Sequence, residues 1–213
     1  MNITFISISI ILLFACYEIN AKKYAYFAYG SNMSLKRLNE NIPNATQITI
    51  GKLNNYRLEF TGFSKKWNGS IATIVPSPNS HVWGVIWSIN ENDIKRLDRQ
   101  EGVKKKIYFP KAVHVQIFSN ILLKCRTYQK RKSKNPINNT PRKPSKAYID
   151  TIIEGAKDYH LPKHYITYLE SFKTPVKQPM KTPVKRPVKQ SVKQPVKQAI
   201  GYSDVRKVIK LET

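Results

Sequence analysis

Residues 24–33 read Tyr-Ala-Tyr-Phe-Ala-Tyr-Gly-Ser-Asn-Met. A short apolar and aromatic run fits a buried strand, and this one stops at Gly30. Ser31 and Asn32 then open a helix that continues through Met33, Leu35 and Leu38. A strand, a glycine turn and a helix start aim several free backbone N–H groups at one point. That arrangement suits a carboxylate or an oxyanion.

Outward from this stretch, strand patterns recur at 47–61, 71–75, 82–89, 108–118 and 121–128, with 24–29 as the first of the set. Clusters of Asn, Gly, Ser and Pro divide them. Asn90 followed by Asp93 has the form of a helix N-cap with an acidic third position, and Gly102 of a stop, which predicts a helix over 91–101. Two late helices follow from the helical spacing of Ala147, Ile149, Ile152, Ile153 and Ala156, and of Tyr165, Tyr168, Leu169 and Phe172. Strands first and helices late argue an α+β domain, a compact sheet or barrel flanked by helices.

Residues 1–21 read as an export signal, with an apolar run from Ile3 to Phe14 and the small Ala21 before the cleavage point. The positive n-region is poor, so an uncleaved anchor is the alternative. No later segment is apolar enough to cross a membrane, and secretion is the expectation. Of the two cysteines, Cys16 leaves with the signal and Cys125 remains alone. Ile121, Leu123, Cys125 and Thr127 alternate with Leu122, Lys124, Arg126 and Tyr128, which places the thiol on the apolar side of a strand. Cys125 is therefore expected in the core and not as a nucleophile.

The net charge of +24 is concentrated in two segments. Lys124 to Lys146 holds nine basic residues and no acid, and Lys173 to Lys197 holds eight more, again without one. The remainder balances at +7. Residues 129–144 read as a surface loop. Residues 175–198 run PVKQ, PMKT, PVKR, PVKQ, SVKQ, PVKQ, a low-complexity tract that offers no core and is expected to be disordered. Extended as polyproline it would reach about 75 Å at ~3.1 Å per residue. A four-residue repeat on a three-residue turn spirals its lysines around the axis, which suits loose retention on polyanions. Aromatics are absent among these lysines, so no stacking platform for nucleic acid is present. The expected organisation is a signal at 1–21, a domain at 22–172, a repeat tail at 173–199 and a C-terminal segment at 200–213.

A second stretch, Leu97-Asp-Arg-Gln-Glu-Gly-Val103, follows Trp83-Gly-Val-Ile-Trp87 and Gly69-Ser-Ile-Ala-Thr-Ile74. With YFAYGSNM ahead of them, Tyr108 after the glutamate and Tyr148 in the first late helix, the order resembles the γ-glutamylcyclotransferase family from about 24 to 172. The tail has no counterpart in that resemblance. The resemblance implies a mixed β-barrel, a tendency to dimerise, and a small γ-glutamyl substrate. The substrate's own α-amine closes on its γ-carbonyl to give 5-oxoproline and a free amino acid, with no cofactor or metal. It also implies Glu101 as the acid/base and Tyr26, Phe27, Ala28, Tyr29, Gly30 and Ser31 as the substrate-binding loop. Tyr108 and Tyr148 would be pocket tyrosines.

The residues support that assignment on their own terms. Cyclisation takes a proton from an ammonium and returns one to the leaving amine, and one carboxylate can serve both steps. At the end of a helix, Glu101 faces the negative end of the dipole, which raises its pKa from a reference near ~4.3. Lys104, Lys105 and Lys106 would act in the opposite sense, and desolvation is expected to win. Backbone N–H groups around Tyr29, Gly30 and Ser31 are assigned to the substrate carboxylate or the oxyanion, with Gly30 allowing close approach. Asn32 is expected to hold the turn and not to touch substrate. Trp83 and Trp87 are expected in the core. His160 and His164 lack a ligand cluster, so no metal site is expected. Asn44, Asn68 and Asn138 open glycosylation sequons; Asn32 opens another, in which a glycan would fill the proposed pocket. Two other classes compete with an enzyme: a secreted binding protein on the same fold, and a cationic surface-binding protein acting through its tail.

Overall fold

The computed structural model describes residues 22–118 and 121–173. The expected signal and nearly all of the repeat tail lie outside the described residues. Among those described, five strands close into a barrel: β1 (Lys23–Ala28), β2 (Thr46–Ser64), β3 (Gly69–Asn90), β4 (Tyr108–Ile117) and β5 (Ile121–Lys130). Their order around the barrel is β1-β3-β2-β4-β5. Neighbours are antiparallel except at the closure, where β1 meets β5 in parallel at Tyr26 and Arg126. Closure removes the open edges that an isolated sheet would present.

The strands expected at 71–75 and 82–89 are one strand here, β3, paired along its length with β2. Pro76, Ser77, Pro78 and Asn79 punctuate the sequence, but the interruption is absorbed as a bulge. The register shifts between Asn54 and Tyr56, and Asn55 and Asn79 take positive φ of 61° and 60°. A long twisted hairpin with local bulges can bend around a barrel where a flat one could not. In β5 the period of two holds from Ile121 to Thr127, and Cys125 is buried as its place in that alternation requires.

Among the described residues four α-helices pack on the barrel: α1 (Leu35–Asn39), α2 (Glu91–Gln100), α3 (Lys146–Asp158) and α4 (Lys163–Glu170). The helix expected to open at Ser31 opens later. Ser31–Met33 form a 3-10 turn, and the cap of α1 is Ser34, whose hydroxyl accepts from the Arg37 N–H. Asn90 and Asp93 form a reciprocal capping box at the start of α2. Helix α3 carries Ile149, Ile152, Ile153 and Ala156 into the core. It comes so close to the 3-10 turn that a Cβ at Gly155 would sit 2.4 Å from the Ser34 nitrogen. Only glycine permits that approach, and the approach seats the turn after β1.

Candidate active site

The turn after β1 is held from below by Trp87, which is fully buried and whose indole N–H donates to the Asn32 carbonyl at 3.1 Å. Met33 N–H returns to the Gly30 carbonyl at 3.0 Å and Ser34 N–H to that of Ser31 at 3.1 Å. The N–H groups ahead of Met33 thus stand at the start of a helical turn, where the turn itself supplies no acceptor. Gly30, Ser31 and Asn32 line a cavity of about 580 Å³.

Glu101 reaches the same cavity from the other side. It is the C-cap of α2. Gly102 N–H bonds the Arg99 carbonyl at 3.1 Å and Val103 N–H that of Asp98 at 2.9 Å, the paired bonds of a Schellman motif. Gly102 takes φ +63° to make it. The cap stops the helix at the residue whose carboxyl must face inward. Helix α2 is tied to β5 through Asp98, whose Oδ1 accepts from Arg126 Nη2 and from the Tyr128 hydroxyl, each at 2.6 Å.

Burial pushes the Glu101 carboxyl up to about 7, against the lowering effects of the Gln100 side chain, the Arg37 charge and the Asn32 amide. Desolvation therefore outweighs the cations, as expected. The opposing cation is Arg37, while Lys104, Lys105 and Lys106 stand exposed. Tyr26, Tyr29 and Tyr108 are raised well above their ordinary value by burial, and Tyr148 is pushed up to about 12. At neutral pH these phenols are fixed neutral hydrogen-bonding groups, and Glu101 is the lining side chain poised to exchange a proton.

Tyr26, Tyr29, Gly30, Ser31, Tyr108 and Tyr148 line the cavity with Glu101. The Tyr108 hydroxyl donates to the Ala72 carbonyl at 2.6 Å, and the Ala72 N–H donates to the Tyr148 hydroxyl at 3.1 Å. One residue of β3 therefore spaces both pocket tyrosines. Phe27 and Ala28 are not brought in; both are buried in the core under the cavity. Phe27 packs where a Cβ on Gly84 would strike its ring. Gly30 has φ −114°, outside the left-handed region, and a Cβ there would meet Tyr148 at an ordinary 3.4 Å. Its glycine leaves space inside the cavity between Tyr148 and Ala72, and the backbone does not demand it.

Asn32 does more than hold the turn. Its buried amide donates to the Tyr26 hydroxyl at 2.9 Å and reaches Glu101 Oε1 at 3.4 Å, while its oxygen accepts from Gln100 at 3.0 Å. Sequence reasoning also missed Gln100, Arg37 and Trp67 as cavity residues. Gln100 precedes Glu101 and could have been found from that adjacency. Arg37 and Trp67 come from segments with no local signal. Among the described residues no group of three or more His, Cys, Asp or Glu side chains converges on a metal-sized site.

The AIG2-like family profile matches residues 81–169. The chain is 35% identical over 167 residues to cattle gamma-glutamylcyclotransferase, covering 75% of this chain and 86% of that one. It is 34% identical over 156 residues to the human protein of the same name, covering 71% and 80%. A solved gamma-glutamyl cyclotransferase structure superposes with a TM-score of 0.67 at 31% identity, over 75% of this chain and 94% of that chain. On its barrel and its similarity along most of its relatives' length, the chain belongs to the γ-glutamylcyclotransferase family.

Proposed function

We propose that this protein is a γ-glutamylcyclotransferase in which Glu101 is the acid/base. The carrying observation is a carboxyl that burial pushes up to about 7, in one cavity with the turn at Tyr29–Ser31. The substrate enters with its α-amine as an ammonium. Glu101 takes the proton, and the freed nitrogen attacks the γ-carbonyl carbon to close a five-membered ring. The carbonyl oxygen becomes an oxyanion within reach of the N–H groups of the turn. As the tetrahedral centre collapses, the bond to the leaving nitrogen breaks and Glu101 returns its proton there; the ring nitrogen then gives up its second proton through the same carboxylate to the departing amine, which leaves as an ammonium. Products are 5-oxoproline and a free amino acid; no water is consumed. Tyr108 and Tyr148 wall the substrate, and Asn32 orients the carboxyl. Release of 5-oxoproline from γ-glutamyl dipeptides, compared between wild type and Glu101→Gln, tests this reading.

The finer organisation is also proposed. The apolar run at Ile3–Phe14 supports export, and cleavage after Ala21 is checked by sequencing the mature amino terminus. The basic repeat supports retention on polyanions; salt-dependent heparin binding should disappear when 173–198 is deleted. Asn44 and Asn68 are exposed and fit glycan acceptors, whereas Asn32 is buried among site residues. Dimerisation rests on the family resemblance alone and is checked by sedimentation.

A further inference from the structure

The cavity has a charge imbalance that the γ-glutamyl head does not use. Among the described residues Glu101 is its only lining carboxylate, while Arg37, Lys65, Lys66 and Lys105 are its cations. Two of these are answered from outside: Glu40 accepts from Arg37 at 3.0 Å and from Lys66 at 2.9 Å. Lys66 also lies 5.7 Å over the Trp67 ring. Among the described residues no carboxylate pairs with Lys65 or Lys105.

These two lysines come from separate segments. Lys65 opens the β2–β3 turn, and Lys105 follows the Schellman cap. Both are exposed while still lining the cavity, so they belong to its mouth. On the cyclotransferase reading, the head of the substrate, an ammonium and a carboxylate, is neutral and lies beside Glu101. The mouth therefore receives the leaving amino acid. Every such residue brings one α-carboxylate, which one lysine can meet. The second lysine remains for another anion.

We infer that the leaving residue is acidic, so that the preferred substrates are γ-glutamyl-glutamate and γ-glutamyl-aspartate. The inference rests on the cyclotransferase reading of the site. The mouth also presents Phe63 and Ile107, 64% and 43% exposed, an apolar surface that would instead favour an aromatic or branched leaving residue. The two lysines decide between them, because their charge is unspent and a charged leaving residue complements it.

The test is a steady-state comparison of γ-glutamyl-glutamate, γ-glutamyl-glutamine and γ-glutamyl-phenylalanine on the full-length protein and its Lys65→Met/Lys105→Met variant. One exposed ion pair separates the first two substrates, so kcat/KM should favour glutamate by about two- to fivefold at low salt. The preference should lie in KM, since the contact is the same in ground and transition states. It should shrink in 0.5 M salt (screening length then about 4 Å). The ratio within each protein cancels any general loss of activity, and in the double variant it should fall close to one. Glutamate no better than glutamine, phenylalanine preferred to both, or a ratio unmoved by the double variant would each overturn the acidic assignment while leaving cyclisation intact. No 5-oxoproline from any of the three would overturn the cyclotransferase reading and this inference together.

Discussion

At the residue scale the proposed chemistry depends on one carboxyl whose proton affinity is set by position. Its acid limb should therefore be visible: kcat/KM should rise with pH through about 7, because Glu101 must be unprotonated to accept from the ammonium. The Asn32 amide lowers that value, so Asn32→Leu should move the limb to higher pH with secondary structure unchanged by circular dichroism. A limb that stays in place would show that Asn32 does not act on the carboxyl. Glu101 is legible from the second motif, and Tyr108 and Tyr148 from their order after it in the family resemblance. Asn32 is legible as a residue that holds the turn; its contacts to Gln100 and Glu101 are not, since they are made across the fold. Phe27 and Ala28 stand in the same string yet are buried in the core, because adjacency in sequence does not say which neighbours turn inward.

At the element scale the site depends on how α2 ends. Gly102 has φ +63°, and a Cβ there would come within 2.8 Å of Ile107 Cδ1. Gly102→Ala should cost about 1–2 kcal/mol of stability from the left-handed backbone alone, read by denaturant midpoint. It should also lower kcat by displacing Glu101 next to it, an effect a purely structural cap would not produce. The capping box at Asn90 and the stop at Gly102 were readable because caps are local chemistry. The turn at Ser31 is not: it is 3-10 where Gly155 lets α3 press on it, a contact between residues over 120 positions apart. The merging of 71–75 with 82–89 was hidden for a related reason. Pro76 and Pro78 read as a break, and only the pairing of β3 with β2 turns the break into a bulge.

At the scale of the whole molecule, an enzyme of this kind keeps a destabilising carboxylate for its function. The folded chain holds the Glu101 proton up to about 7, while an unfolded carboxyl releases it near ~4.3. Between those values the folded state binds more protons, so this group's contribution is fully present at low pH and is lost as pH rises towards 7. Glu101→Gln has no charge to bury, so its Tm advantage over wild type should be larger at pH 8 than at pH 4.5. An equal difference at both pH values would contradict the burial argument. The most direct test of the central claim is 5-oxoproline formation from γ-glutamyl dipeptides by the purified protein and its Glu101→Gln variant. The account predicts turnover by the wild type and a loss of at least about a hundredfold in the variant, with the fold retained. Turnover that survives in Glu101→Gln would contradict it.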